Sequence, residues 1–540
     1  MRLWSALVLA SLLALPAAAA TRAPCATTAL RDLPPLALAT TGILDRPDTV
    51  SVTLAHETLP LRVHHADGDD VTGALALAEA ARAWALQVEG AGFDPPLSDD
   101  EGFDADVGGD GGDAALDLYL APLPPGVGAV TVSGRDVDDD PGHDRRPTFI
   151  VIDPVQPDDV VAAAVHHEFQ HALQFAIDAR ESVMWFESTA VAFEVRGRPD
   201  VTAWHDAVPA FQRQPQAPLT TDGLAFSRFG DSDDLRYEYG AGLFILFLDD
   251  VYGAGDGAVV RELWTAAAGH DPGATDARDD DDNTPDWVTA LPGVLGVSFA
   301  EVLLDFTAWR ALAPPLTVVG EGPAAYALPG TAALRSQRVL LERLSGTART
   351  PGEAEGPFVG GCHVTSASQP PPSSSPVFLR ASSVDGHALG AVMLVVKEGV
   401  ARTLRDLGGA GGAVALDTVV DAGAELVVAV CDVGVTDADA APIFAPISLT
   451  LSTVPIAAEG EGEGEGEGEG EGEDLEPPLD CGCACDSSSS GPAAGDPRQM
   501  RKSLYVLGFF VGIFGFVVKA VRHRRRQRLY RQPKDRPPTG

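Results

Sequence analysis

The five residues His167-Glu168-Phe169-Gln170-His171 constrain this chain more than any other stretch. On a helix, positions i and i+4 lie one above the other. Two imidazoles can then grip one metal ion from a single turn, and Glu168 stands where it can take a proton from a water at that metal. The flanking residues predict such a helix: Asp158 or Asp159 after Pro157 serves as N-cap, and the segment runs to about Asp178. His166 lies one position back, about 100° round the helix. It is expected to hydrogen-bond on the helix flank rather than to a metal.

A third ligand is expected nearby. The stretch from about Ser182 to Val195 predicts a second helix, mostly apolar and hence mostly buried. It carries Glu187 and Glu194, seven apart and so on one face. A carboxylate in so apolar a helix is costly unless it is paired or bound to metal. Glu187, with fifteen residues between it and His171, is preferred as the third ligand over a surface salt bridge.

The rest of the chain predicts an α+β fold. It has 540 residues, 21% of them charged, enough for two folded domains. Ser51–Leu54, Leu59–His65, Leu116–Leu120 and Thr148–Ile152 read as strands, and Val71–Val88 as an amphipathic helix. Tyr239–Tyr252, Ala258–Ala268 and Phe299–Leu312 read as further helices. The acid run Asp279–Asp282 reads as a solvated loop, with a calcium site (Ca2+) as the weaker alternative. Beyond about residue 330 come short β-like runs separated by Gly, Pro and Ser: Val377–Ala381, Ala391–Lys397, Ala413–Val420, Glu425–Cys431 and Ile447–Thr453. They predict a β-sandwich over residues 330–456 with a supporting or binding role. Cys362 and Cys431 fall within it, read either as a disulfide or as two buried thiols.

Both ends point to export. Residues 1–20 have the charged start, apolar run and small-residue site of a cleaved signal peptide. Residues 21–50 are an N-terminal arm or pro-segment. Residues 457–502 hold a Glu-Gly alternation, expected to be a disordered stalk, and then Cys481, Cys483 and Cys485. Residues 503–521 predict one transmembrane helix; sixteen core residues span ~24 Å against a ~30 Å hydrocarbon layer, and Lys519 can snorkel. Twelve of the 38 Lys and Arg lie after residue 497, most of them beyond this segment. That bias puts the basic tail, 522–540, in the cytoplasm and the folded domains outside. A net charge of −40 argues against nucleic acid as a partner.

Residues 160–195 resemble the gluzincin branch of the zincin metallopeptidases. Trp185-Phe186-Glu187-Ser188-Thr189-Ala190 is similar to the helix that supplies the third ligand there. The wider order is similar to a group of secreted bacterial metalloproteases, over about residues 51–315. They share Asp117-Leu118-Tyr119-Leu120, the helix from His167 to Phe175, the aromatic-Glu helix and Tyr239-Gly240. The resemblance implies a zincin-like catalytic domain over 51–320, its active-site helix under a β-sheet. It implies one zinc ion (Zn2+) on His167, His171 and Glu187, with Glu168 as general base and protein or peptide as substrate. No spacing rule identifies the oxyanion donor; Tyr239 is preferred, with Tyr237 and His205 in reserve. The tail resembles sorting signals of the MYXO-CTERM kind, which imply a sorting protease as partner and display at the bacterial cell surface. A Ser- and Pro-containing spacer after Cys485 departs from that pattern and leaves simple membrane anchoring as the alternative. The rival reading from another class is a non-catalytic binding or adhesion protein on a zincin scaffold.

Overall fold

A computed structural model describes residues 46–47, 50–98, 103, 113–124, 126–137, 144–220, 237–269, 285–312, 337–339, 349–352, 356–367, 373–398, 400–408, 412–436, 438 and 442–456. The chain divides into two compact units, Met1–Gly460 and Glu461–Gly540. The second unit, the signal segment and the acid run Asp279–Asp282 lie outside the described residues. Among the described residues no single helix is long and apolar enough to cross a membrane.

The described residues form a mixed α+β fold with three sheets. The first contains β1 (Val52–Ala55), β2 (Leu61–His65), β3 (Leu116–Leu120), β4 (Ala129–Ser133) and β5 (Thr148–Ile152), in the order β1-β2-β3-β5-β4. β2, β3 and β5 run parallel, and β1 and β4 pair antiparallel at the two edges. β3 and β5 are buried along their whole length, because alternate side chains enter different cores. Leu118 and Ile150 face the main core; Tyr119 and Phe149 join a smaller one on the other side. Arg46, at the end of the N-terminal arm, is buried there, with Nη1 2.5 Å from Asp117 Oδ2 and its guanidinium over the Phe149 ring.

Helices cover the main-core face. The expected helix after β2 forms as α1 (Asp70–Trp84), but its last part, Ala85–Gly90, widens into a π-turn. There Gln87 is buried and its Nε2 donates to the His166 carbonyl at 3.0 Å. α2 (Asp158–Ile177) packs against β4, β5 and α1, and every residue from Val161 to Ala176 is buried. Its N-cap is Pro157, without a side-chain bond; Asp158 and Asp159 lie in the first turn, where they complement the helix dipole. α3 (Val183–Gly197) follows, with Ser182 as N-cap accepting from Trp185 N. Next come a 3-10 turn (Ala203–Asp206), α4 (Val208–Gln212), α5 (Tyr237–Gly240), α6 (Gly242–Val251), α7 (Ala258–Ala267), α8 (Trp287–Leu295) and α9 (Phe299–Leu312). The single helix expected over Tyr239–Tyr252 is thus two, broken at Ala241. Its glycines sit at close approaches: a Cβ on Gly240 would lie 2.6 Å from Ala207 O, and one on Gly242 2.6 Å from Val191 Cγ1.

The remaining strands are β6 (Gln337–Val339), β7 (Cys362–Ala367), β8 (Ser375–Ser383), β9 (Leu389–Lys397), β10 (Val400–Asp406), β11 (Ala413–Val420), β12 (Glu425–Asp432) and β13 (Ile447–Ser452). They form a five-stranded sheet, β10-β9-β12-β7-β6, facing a three-stranded one, β11-β8-β13. Leu389, Ala391, Met393 and Val395 of β9 join the core between these sheets, whereas Val392, Leu394 and Val396 join the helical core. The five-stranded sheet is therefore buried on both faces, and α9 packs against β9 and β12. Cys362 and Cys431, opposite one another on β7 and β12, form a disulfide whose Cys362 sulfur lies 3.3 Å from Thr307 Oγ1 on α9.

Candidate metal centre

α2 and α3 bring the three expected ligands together. His171 Nε2 lies 3.2 Å from His167 Nε2, and Glu187 Oε2 lies 3.3 Å from His167 Nε2 and 3.7 Å from His171 Nε2. All three side chains are buried, and among the described residues they form the one His/Cys/Asp/Glu group able to hold a metal ion. Burial works against the charge on Glu187. Hydrogen bonds and charge from His167 and His171 outweigh it and hold the carboxyl well below the usual carboxylate range.

Each histidine is held from behind. His167 Nδ1 lies 3.2 Å from Glu194 Oε2, about two turns beyond Glu187 on the same face of α3. His171 Nδ1 lies 2.6 Å from Gln174 Oε1. His166 points away, as expected: its Nε2 is 3.3 Å from Glu79 Oε2 on α1, and its ring packs where Gly197 leaves no room for a Cβ.

Glu168 is fully buried beside β4. Thr131 Oγ1 lies 2.9 Å from both Glu168 Oε2 and the Glu168 carbonyl oxygen. Its one proton is shared between two acceptors, which sets the carboxylate's orientation. Sequence reasoning missed Thr131 because it missed β4, a five-residue Ala-Val-Thr-Val-Ser run whose Val-Thr-Val-Ser alternation is short.

Of the three donor candidates, Tyr239 is at the site. Its half-buried ring lies nearly parallel to that of His167, with centroids 6.0 Å apart. Tyr237 is committed elsewhere: it is fully buried and its hydroxyl donates to the Pro218 carbonyl at 2.9 Å. Burial also raises its pKa above the ordinary tyrosine value. His205 packs against Trp204 on the 3-10 turn, and burial lowers its pKa.

Pro218 belongs to a segment held by the start of β7 and the residues just before it. Cys362 N donates to Pro215 O, Phe358 N to Gln216 O and Leu219 N to Gly360 O. α9 adds Arg310, whose Nε donates to Gln212 Oε1 at 2.8 Å and whose Nη2 donates to Phe211 O at 3.0 Å. The Phe211 ring in turn packs on Tyr237. The segment that carries Tyr239 is thus braced by residues from both halves of the unit.

No protein family matches the sequence, and no curated protein matches it either. Among solved structures, the chain is similar to the pre-peptidase C-terminal domain of a collagenase from Bacillus anthracis, with 11% identity over 22% of this chain and 94% of that one and a TM-score of 0.15. It is also similar to aminopeptidase A of Legionella pneumophila, solved with aspartic acid, with 10% identity over 68% of this chain and 35% of that one and a TM-score of 0.31. The chain thus spans about a third of that aminopeptidase's length. At these scores neither likeness transfers a fold or an activity to this chain.

Proposed function

We propose that this chain is a zinc-dependent peptidase with a zincin-like catalytic domain, exported and anchored at the cell envelope by its C-terminal segment. The observation that carries the reading is the convergence of His167, His171 and Glu187. Zinc held ~2.0–2.1 Å from tetrahedral ligands sets those ligand atoms roughly 3.3 Å apart; the separations here are 3.2, 3.3 and 3.7 Å. Two imidazoles and one carboxylate leave a fourth position open, which is the pattern of catalytic rather than structural sites. A zinc ion bound there would supply Lewis acidity, acidifying a water and polarising a substrate carbonyl.

The residues of the chain divide the remaining work. Glu168, oriented by Thr131, takes the proton of the attacking water and passes it to the departing amine. The Tyr239 hydroxyl donates to the oxyanion that develops on the scissile carbonyl. Export and anchoring rest on the signal-like start, the stalk and the basic-flanked apolar segment of the sequence.

The test is metal analysis of the purified full chain together with cleavage of an unfolded protein substrate, with and without chelator. One equivalent of zinc and chelator-sensitive cleavage are expected. Zinc without cleavage of any substrate in a broad panel would favour the binding or adhesion protein, and no metal would reject the zinc peptidase.

A further inference from the structure

Gln174 lies one turn beyond His171 on α2, fully buried, and bonds on both sides of its amide. Its Nε2 is 3.0 Å from the Phe186 carbonyl oxygen and 2.7 Å from Thr189 Oγ1, both on α3. A backbone carbonyl can only accept, so the amide nitrogen must face Phe186. The amide oxygen must then face His171, and at 2.6 Å from Nδ1 it can only accept. His171 therefore carries a proton on Nδ1, which leaves Nε2 as the ring atom turned toward His167 and Glu187. Thr189 is itself committed: its Oγ1 is 2.7 Å from Trp185 O and receives Trp264 Nε1 at 3.3 Å.

Resting on the zinc reading above, we propose that Gln174 is a positioning residue for the metal. Its amide fixes the tautomer and ring orientation of His171, and it ties the helix that carries both histidines to the helix that carries Glu187. The contrast with His167 is chemical: that ring is held by the Glu194 carboxylate, whereas His171 is held by a neutral amide that cannot take up its proton. Such supporting contacts orient a ligand before the metal arrives, so their loss is read in affinity.

The experiment measures zinc affinity of the full chain by competition with a chelator of known affinity, at a temperature where each variant is fully folded by circular dichroism. Gln174→Leu is expected to weaken zinc binding roughly ten- to hundredfold. Gln170→Leu is the matched control on the same helix, since both amide atoms of buried Gln170 lack a hydrogen-bond partner among the described residues; it should stay within about threefold of wild type. Should Gln174→Leu not fold, Thr189→Val replaces it. It removes one of the two groups that orient the amide and should weaken zinc several-fold, while Thr189→Ser keeps wild-type affinity. Affinity within about threefold of wild type in folded Gln174→Leu, or in Thr189→Val, would overturn the proposal, as would an equal loss in Gln170→Leu. Absence of zinc binding by the wild-type chain would instead overturn the metal site itself.

Discussion

The ring of Tyr239 lies 6.0 Å from that of His167, with 17° between their planes. The pairing sets a phenol beside a metal-ligand candidate without using the phenol to hold the ligand; Glu194 does that. Tyr239→Phe should therefore keep the ring contact and any metal bound at the site while removing the proposed donor. The expected result is unchanged zinc content, nearly unchanged KM and a kcat lower by about 10²–10³. Steady-state kinetics on a peptide substrate alongside metal analysis decides it; full kcat in Tyr239→Phe would reject the donor role.

Glu168 offers a cleaner separation of binding from chemistry. In Glu168→Gln the side-chain amide oxygen can still accept from Thr131 Oγ1, so the fold and zinc content should be retained. Hydrolysis should fall by about 10²–10⁴, because the amide cannot take a proton at neutral pH. Thr131→Val should keep the fold and any metal bound at the site but remove the hydroxyl that bonds the carboxylate, with kcat lower by roughly tenfold. A Thr131→Val enzyme with wild-type kcat would show that β4 does not orient the base.

These contrasts mark what was legible in the sequence. His167 and His171 could be read from spacing alone, because one helical turn fixes their relation. Glu187 could be read from the anomaly of an acid in an apolar helix. Glu194 was visible on the same face, yet nothing local says that it meets His167 across a helix pair. Gln174 stands three residues from His171, a spacing that allows contact, but its orientation depends on Phe186 and Thr189 of the next helix. The runs at β9 and β12 were read correctly as strands. Burial on both faces removed the alternation that would have told which side meets the helices. The brace from Phe358 and Gly360 to residues 216–219 lies entirely in long-range backbone pairing, which leaves no local pattern.

That brace makes a testable claim about the β-sheets. A Cβ on Gly361 would collide with the Gln216 carbonyl, so Gly361→Ala must push the Pro215–Leu219 segment away. Because Pro218 holds the Tyr237 hydroxyl and Tyr239 follows two residues later, the effect should reach the site from the far half of the unit. The expected cost is about 1–3 kcal/mol in stability, with zinc affinity kept and kcat reduced. Equal kcat per folded molecule in Gly361→Ala and wild type, measured well below the melting transition, would show that the sheets support the fold without setting Tyr239.

Asp178 gives the chain a pH dependence away from the candidate metal site. It caps α2, is fully buried, and accepts from Arg180 N at 2.9 Å and Gly269 N at 3.3 Å. Burial pushes its pKa up to about 7 from 3.8; nearby Asp144 adds to the rise, and the two backbone bonds oppose it. Over roughly pH 4 to 7 the folded chain therefore holds a proton that the unfolded chain has released, so this group's contribution to stability falls as pH rises through that window. The slope approaches about 1.4 kcal/mol per pH unit and the total is on the order of 4 kcal/mol, flat above the folded pKa. Asp178→Asn carries no such proton. Its stability minus that of wild type, from urea unfolding at several pH values, should climb between about pH 4 and 7 and then level off. At low pH the variant should be the less stable, since its amide keeps the acceptor for Arg180 N while losing one for Gly269 N. A difference that stays level across the window would show that Asp178 is ionised in the folded chain throughout, its charge carried by the Arg180 and Gly269 amides.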